Sequence, residues 1–288
     1  MACSKYEYVK KFETPITLLP STFIVVRIDG KGFTKFTDLH NFEKPNDIRG
    51  LSLMNKAAEE VLKVFNEIWL AYGQSDEYSF VFRRNTTFFS RRYEKIVTCL
   101  VSCFTAAFVL NFKAFFPEME LKETPMFDGR CVIYPDFKTL RDYLSWRQVD
   151  CHINNLYNTC FWALVKDKKL STKDAQVILK DMKSDQKNEL LFNDFGMNYN
   201  KIEAIYRKGT ILIRKEEMKE KHLKVEKKEK EEKLEKIKEI NEDKEEKEKE
   251  KKTKKEGPIS TTKVIICLNE DMIGDEFWMK YKKELEYE

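Results

Sequence analysis

An α+β fold is predicted for this 288-residue chain by three observations. The first is FIVVRIDGKGF, a β-branched run from Phe23 that delivers Asp29 to a turn containing Gly30 and Gly32. The second is YGQSDEYSFVF, where Tyr78, Phe80 and Phe82 alternate with Ser79 and Val81 in the period of a strand, with Asp76 and Glu77 at its entrance. The third is the order of elements up to residue 137: strand, helix, strand pair, helix, strand. That order is ferredoxin-like, an antiparallel sheet carrying both helices on one face.

The chain is long enough for one large domain or two modest ones, and 42% hydrophobic residues can fill a sizeable core. Its net charge of +4 says little about nucleic acid, because charge is concentrated locally: 17 lysines and 16 acids fall between Lys215 and Glu256. Seven cysteines at no zinc-ligand spacing, and no charged-then-apolar N-terminal leader, predict reduced thiols in the cytoplasm, with the nucleus also open. The 17 uncharged residues Ile96 to Phe112 are at the short edge of a membrane span and include Thr98, Ser102, Thr105 and Asn111, so a helix buried against the sheet is expected instead.

In chain order, residues 1 to 13 form a lead-in with Tyr6, Tyr8 and Phe12 available to pack, ended by Pro15 and Pro20. After Asp29, GKGFTKFTDLHNFEKPND is expected to be a loop. Apolar residues at three and four from Leu51 to Ile68 predict a helix over roughly 47–69. The Asp76 strand follows, its partner expected to return after Arg84. A long helix over about 88–116 opens on Arg91, Arg92 and Lys95, and Cys131–Tyr134 make a short strand. Residues 139–166 are helical, with Ile153, Leu156, Tyr157, Cys160, Phe161 and Leu164 on one face and Arg147, Asp150, Asn154 and Asn158 on another. Ser171 caps a further helix to about Met182, and QKNELLFNDFGMNYNKI is expected to bring Lys187 and Asn198 into a loop region. GTILIRK should pair with TTKVIICLN across the charge-rich stretch at about 215–256, which lacks the apolar residues of a core. Ile273, Phe277 and Trp278 dock a last helix. The division expected is 1–137, a catalytic unit, and 138–288, a helical and hairpin region completing it.

Two acids at neighbouring strand ends repel each other, and the common resolution is Mg²⁺ held by one or two carboxylates and completed by substrate phosphates. The alternative is that Asp29 and Asp76 are turn residues flanking strands. An RNA-recognition module would stack bases on YSFVF, but acids stand at 76 and 77 where its motif carries a basic residue and a glycine. A nucleotidyl-transfer palm, with two Mg²⁺ ions about 3.5–4 Å apart, suits those acids, as does a nucleotide cyclase.

RIDGKGF, HNFEKPND, AYGQSDEYSFVFRR, FDGR, DYLSWRQ, CHINNLYNT, DQKNE, FNDF with NYN, YRKGT and IGDEFW occur in one order over nearly the whole chain except the charged stretch. Together they resemble the tRNA-histidine guanylyltransferases. The resemblance implies a polymerase/cyclase-type palm running in the 3'-to-5' sense. It would add guanosine to histidine tRNA after ATP activates a 5'-monophosphate, the GTP 3'-hydroxyl attacks, and pyrophosphate is lost. On this chain's residues it implies Asp29, the Gly30 carbonyl and Asp76 as ligands of two Mg²⁺ ions, with Glu77 as a supporting acid. GTP falls to Asp29, Gly30, Lys31, Gly32, Phe33, Thr34, Ser75 and Asp76. Lys44, Asn46 and Asp47 match a segment near triphosphate, and Arg27, Arg92 and Lys95 are cations for a second one. His152, Asn155, Lys187 and Asn198 match positions serving tRNA or activation. The chain differs at Lys31, Gly32 and Thr34, where relatives often carry Arg, Asn and His. A homotetramer, a dimer of dimers, is implied, and no membrane partner. A template-directed 5'-end tRNA repair polymerase and a non-catalytic tRNA-binding protein are the alternatives.

Overall fold

The structure, a computed structural model, describes residues 4–218 and 261–285, so most of the expected charge-rich insertion lies outside the described residues. Of these, residues 4–213 with 265–285 form one compact unit. Six strands make one sheet: β1 (Phe23–Gly30), β2 (Ile68–Gln74), β3 (Glu77–Phe82), β4 (Phe127–Tyr134), β5 (Thr210–Met218) and β6 (Thr261–Leu268). Their order is β4-β1-β3-β2-β5-β6, and β1 is antiparallel to both β3 and β4.

The helices α1 (Phe33–Leu39), α2 (Ile48–Val64) and α3 (Tyr93–Phe115) precede β4, while α4 (Phe137–Lys166), α5 (Thr172–Leu179), α6 (Ser184–Phe195), α7 (Ala204–Lys208) and α8 (Asp275–Lys280) follow it. Strand alternation sorts the core. Ile24, Val26 and Ile28 of β1 pack with Tyr78, Phe80 and Phe82 against α2 and α3. Val25 and Val81 face the other way, against Leu140, Tyr143 and Leu144 of α4 and Phe277 and Trp278 near the C-terminus. Each fully buried large apolar side chain contributes about 1.5–3 kcal/mol.

Both helices expected on one face are there as α2 and α3, but several boundaries differ. The helix predicted over 47–69 ends at Val64, and Ile68 opens β2. β2 is buried at all seven positions, so it shows no alternation, and the partner of the Asp76 strand precedes it instead of returning after Arg84. The expected loop after Asp29 contains α1, held by the stacked rings of Phe33 and Phe36. Lys187 lies on α6, which ends in a left-handed Gly196, and not in a loop. Tyr6, Tyr8 and Phe12 are exposed, as are Ile153 and Ile273. α3 is long and apolar enough to cross a membrane, yet Ile96, Leu100, Phe104 and Phe108 are buried under the sheet. Arg91, in the basic cluster of the sequence, is buried; its guanidinium donates to the carbonyls of Leu18, Leu19, Thr22 and Thr86.

Asp47 caps α2, accepting from the Arg49 amide at 2.9 Å, and binds the Arg49 guanidinium at 2.7 Å. Burial alone would raise its carboxyl, but the bonds from the Arg49 side chain and from the Glu43 and Arg49 amides outweigh burial and hold it below its ordinary value. Its stabilisation is therefore present above the unfolded carboxyl value of about 3.9 and is lost as pH falls through the folded one. Asp47→Ala should cost about 1–2 kcal/mol in denaturant unfolding at pH 7, with the gap to wild type closing in acid.

Candidate active site

The β2–β3 hairpin turns on Ser75 and Asp76, with Ser75 in the left-handed region at φ 48°. The Gly30 amide donates to the Asp76 carbonyl at 3.1 Å, tying the end of β1 to that turn. A Cβ on Gly30 would stand 2.5 Å from the Phe33 ring and 2.9 Å from the Asp76 Oδ2, so only glycine leaves room for this approach. Gly32, at φ 68°, then starts α1 from the left-handed region. The Lys31 amide donates to the Met126 carbonyl at 2.9 Å. These contacts hold the 29–34 segment against the hairpin while the Lys31 side chain stays exposed.

Asp29 stands opposite Glu77 on one side and Asp128 on the other, a row of three acids across β3, β1 and β4. Directly opposed residues share a face of the sheet. Burial, then the charge of Asp128, raises the Asp29 carboxyl. Burial likewise raises that of Asp76; a bond from the Ser75 hydroxyl lowers it and the charge of Asp29 raises it further. Glu77, also raised by burial, is held by Arg147 of α4 at 2.8 Å, and Asp128 by Arg130 at 3.0 Å. Among the described residues, neither Asp29 nor Asp76 has a basic side chain within ion-pair distance. Two half-buried carboxylates that repel each other and form no ion pair with a protein cation fit Mg²⁺, a hard cation that takes a few protein oxygens and leaves the remainder to phosphates. Among the described residues no cluster of three or more His, Cys, Asp or Glu side chains is arranged to hold a metal.

Asp76 and Ser75 open onto a cavity of about 370 Å³ whose walls include Phe33, Thr34, Lys44 and Asn46, and from α4 Tyr157 and Trp162. Lys44 Nζ donates to Thr37 at 2.9 Å and pairs with Asp38 at 2.8 Å. Asn46 donates to Asn155 at 2.8 Å; Asn155 donates to the Tyr199 hydroxyl at 3.0 Å, which in turn donates to the His152 carbonyl. Lys187 donates to the Met182 carbonyl and lies 5.6 Å over the Tyr157 ring. His152 and Asn198 line a second cavity of about 430 Å³, with Asn188, Phe192, Asn193 and Asn200. Burial and the charge of Arg207 push the His152 imidazole below its ordinary value of 6.5. It is a neutral hydrogen-bonding group at pH 7.

The sequence-predicted residues thus divide. Asp29, Gly30, Gly32, Phe33, Thr34, Ser75, Asp76 and Glu77 gather at one end of the sheet, with Lys44, Asn46 and Asp47 along the adjoining cavity. The Asp47 carboxylate is spent on Arg49 and the α2 cap. Arg27 lies two residues before Asp29 on the same face, between Ser79 and Arg130. Arg92 and Lys95 do not join them. β3 runs away from the acid end, and they follow its far end at the start of α3, about 17 Å or more from Asp76 at 3.3 Å per residue. Sequence reasoning missed Arg147 as the partner of Glu77, and Tyr157 and Trp162 as cavity walls. The available signal was the spacing in HINNLYNTCFW, which on a helix sets Tyr157 and Phe161 together, with Asn158 and Trp162 beside them.

A family profile described as tRNAHis guanylyltransferase matches residues 6–135, and one described as Thg1 C terminal domain matches 138–274. A probable tRNA(His) guanylyltransferase of Dictyostelium discoideum is 55% identical over 215 residues, covering 75% of this chain and 84% of that protein. One from Mus musculus is 43% identical over 287 residues, covering 99% and 89%. The crystal structure of tRNA(His) guanylyltransferase from Saccharomyces cerevisiae, 47% identical, superposes with a TM-score of 0.70 over 73% of this chain and 93% of that one.

Proposed function

Since the chain belongs to the tRNAHis guanylyltransferase family, we propose that it adds a guanosine to the 5' end of histidine tRNA, at position −1 and in the 3'-to-5' direction. The observation that carries the reading is the pair Asp29 and Asp76, without a protein cation, at one end of the sheet beside a cavity of about 370 Å³. ATP and GTP are the nucleotide substrates. A palm-type unit over 1–137 supplies the acids, and 138–288 completes the cavity wall and the tRNA surface. The working form is a tetramer in the cytoplasm or nucleus.

In this reading Asp29, the Gly30 carbonyl and Asp76 would hold two Mg²⁺ ions. Bound there, the metal would supply stabilisation of charge developing at phosphorus. The chain's own residues do the positioning. The Gly30–Asp76 backbone bond fixes the separation of the two strand ends. Segment 29–34 and Ser75 receive GTP, and Lys44 turns from the exposed Asp38 to a triphosphate oxygen of the activating ATP. Asp47, through Arg49, holds the 43–47 segment in place for Asn46. His152 and Asn198 offer neutral hydrogen bonds to tRNA from the second cavity. The 5'-monophosphate attacks the α-phosphorus of ATP and releases pyrophosphate. The GTP 3'-hydroxyl then attacks the activated 5'-phosphorus and displaces AMP, and the new terminal triphosphate later loses pyrophosphate.

Incubation with 5'-monophosphorylated histidine tRNA, GTP and Mg²⁺, with and without ATP, tests the reading. A 5' end one guanosine longer, formed only with ATP, is expected. An unchanged end with all components present would contradict it.

A further inference from the structure

Four carboxylates crowd one end of the sheet: Asp128, Asp29 and Glu77 in register across three strands, and Asp76 on the hairpin beside them. The two flanking acids each pair with an arginine; among the described residues the two central ones pair with none, although Arg27 stands on the same face two residues before Asp29. Arg130 pairs with Asp128 along β4, and Arg147 reaches from α4 to Glu77. The second pair is built differently from a surface ion pair. Glu77 is 8% exposed and Arg147 6%. The guanidinium also lies 3.7 Å from the Trp146 ring centroid and 3.4 Å from Asp150, so it has little freedom to leave. The contact is single, Nη1 to Oε2, leaving Glu77 Oε1 and Arg147 Nε buried without partners. A buried pair held by one bond is a poor stabilising device, since two well-packed neutral residues would serve as well or better.

We propose that Arg147 is a positioning residue that neutralises Glu77 and keeps it off the cation, so that the site presents the two carboxylates of Asp29 and Asp76 and leaves the remaining coordination to substrate phosphates. The inference rests on the acid-pair reading above. Its competitor is Glu77 as a third ligand through the orphaned Oε1. The two differ in what happens when the pair is replaced as a unit. An insulating pair contributes no net charge, so removing both members leaves cation affinity alone. Removing Glu77 by itself leaves a buried guanidinium facing Asp29, which repels the cation. A third ligand is missed in either case.

Mn²⁺ binding to the full chain without nucleotide, counted by electron paramagnetic resonance, reads this directly. The double variant Glu77→Gln/Arg147→Met should bind within about twofold of wild type, and Glu77→Gln alone about tenfold or more weakly, as expected for one uncompensated charge nearby. Arg147→Gln gives a reading of opposite sign, since it frees the Glu77 charge, and should bind about tenfold more tightly. Circular dichroism and thermal unfolding accompany each variant, and a second neutral pair, Glu77→Leu/Arg147→Met, carries the test should the first double variant not fold. A folded double variant as weak as Glu77→Gln, or an Arg147→Gln affinity no tighter than wild type, would overturn the insulating role. Equal binding by wild type and Asp76→Asn would overturn the acid-pair reading and the inference with it.

Discussion

Asp29→Ala and Asp76→Ala are each expected to lower guanosine addition at least about a thousandfold without unfolding the protein, the size of loss seen when a group that stabilises transition-state charge is removed. The two effects separate because the carboxylates oppose folding. Burial and then Asp128 raise the Asp29 carboxyl, and burial and the Asp29 charge raise that of Asp76. A carboxyl raised in the folded state is more readily ionised in the unfolded one, so above its unfolded value of about 3.9 it favours unfolding. Alanine removes that burden. Thermal unfolding at pH 7 without divalent cation should therefore show the variants no less stable than wild type, while single-turnover assays show the loss. A folded variant retaining more than a tenth of wild-type activity would contradict the reading.

The second large effect separates activation from addition. If ATP serves only to activate a 5'-monophosphate, histidine tRNA already bearing a 5'-triphosphate should accept guanosine without ATP. Lys44 stands in the wall of the cavity beside Asp76, and Lys187 packs on Tyr157, which also lines it. Lys44→Ala and Lys187→Ala should fall sharply on the monophosphate and recover to within about tenfold of wild type on the triphosphate, a difference of about 1.4 kcal/mol in barrier. His152→Ala is expected to behave otherwise. Its neutral ring lines the second cavity, so it should raise the KM for both tRNAs by a similar factor. A persistent ATP requirement on the triphosphate would remove the activation step.

The acid end was legible because its signals are local. A β-branched strand ending at Asp29, a glycine turn and an alternating strand opening at Asp76 are each short-range patterns, and antiparallel pairing then brings the ends together. The β2 strand is hidden in the sequence because IWLAYGQ is buried on both faces, so its apolar run continues the helical spacing of α2 through Ile68. α1 was hidden by a sequence rich in Phe, Thr and Lys, in which only tertiary packing of Phe33 and Phe36 favours the helix. Arg147 could be placed on a polar helix face but not against Glu77, because no local pattern relates residues seventy positions apart. The separation of Arg92 and Lys95 from the acids follows from the direction of β3, which composition does not reveal.

The central claim is that one acid pair serves every phosphoryl transfer in the sequence of reactions. Asp76→Ala assayed on 5'-triphosphorylated histidine tRNA with GTP and Mg²⁺, in the absence of ATP, tests it most directly. The account predicts no recovery: the variant should stay at least about a thousandfold below wild type, because attack by the GTP 3'-hydroxyl needs the same acid pair as activation does. Recovery of Asp76→Ala to the level of Lys44→Ala on that substrate would contradict a shared site.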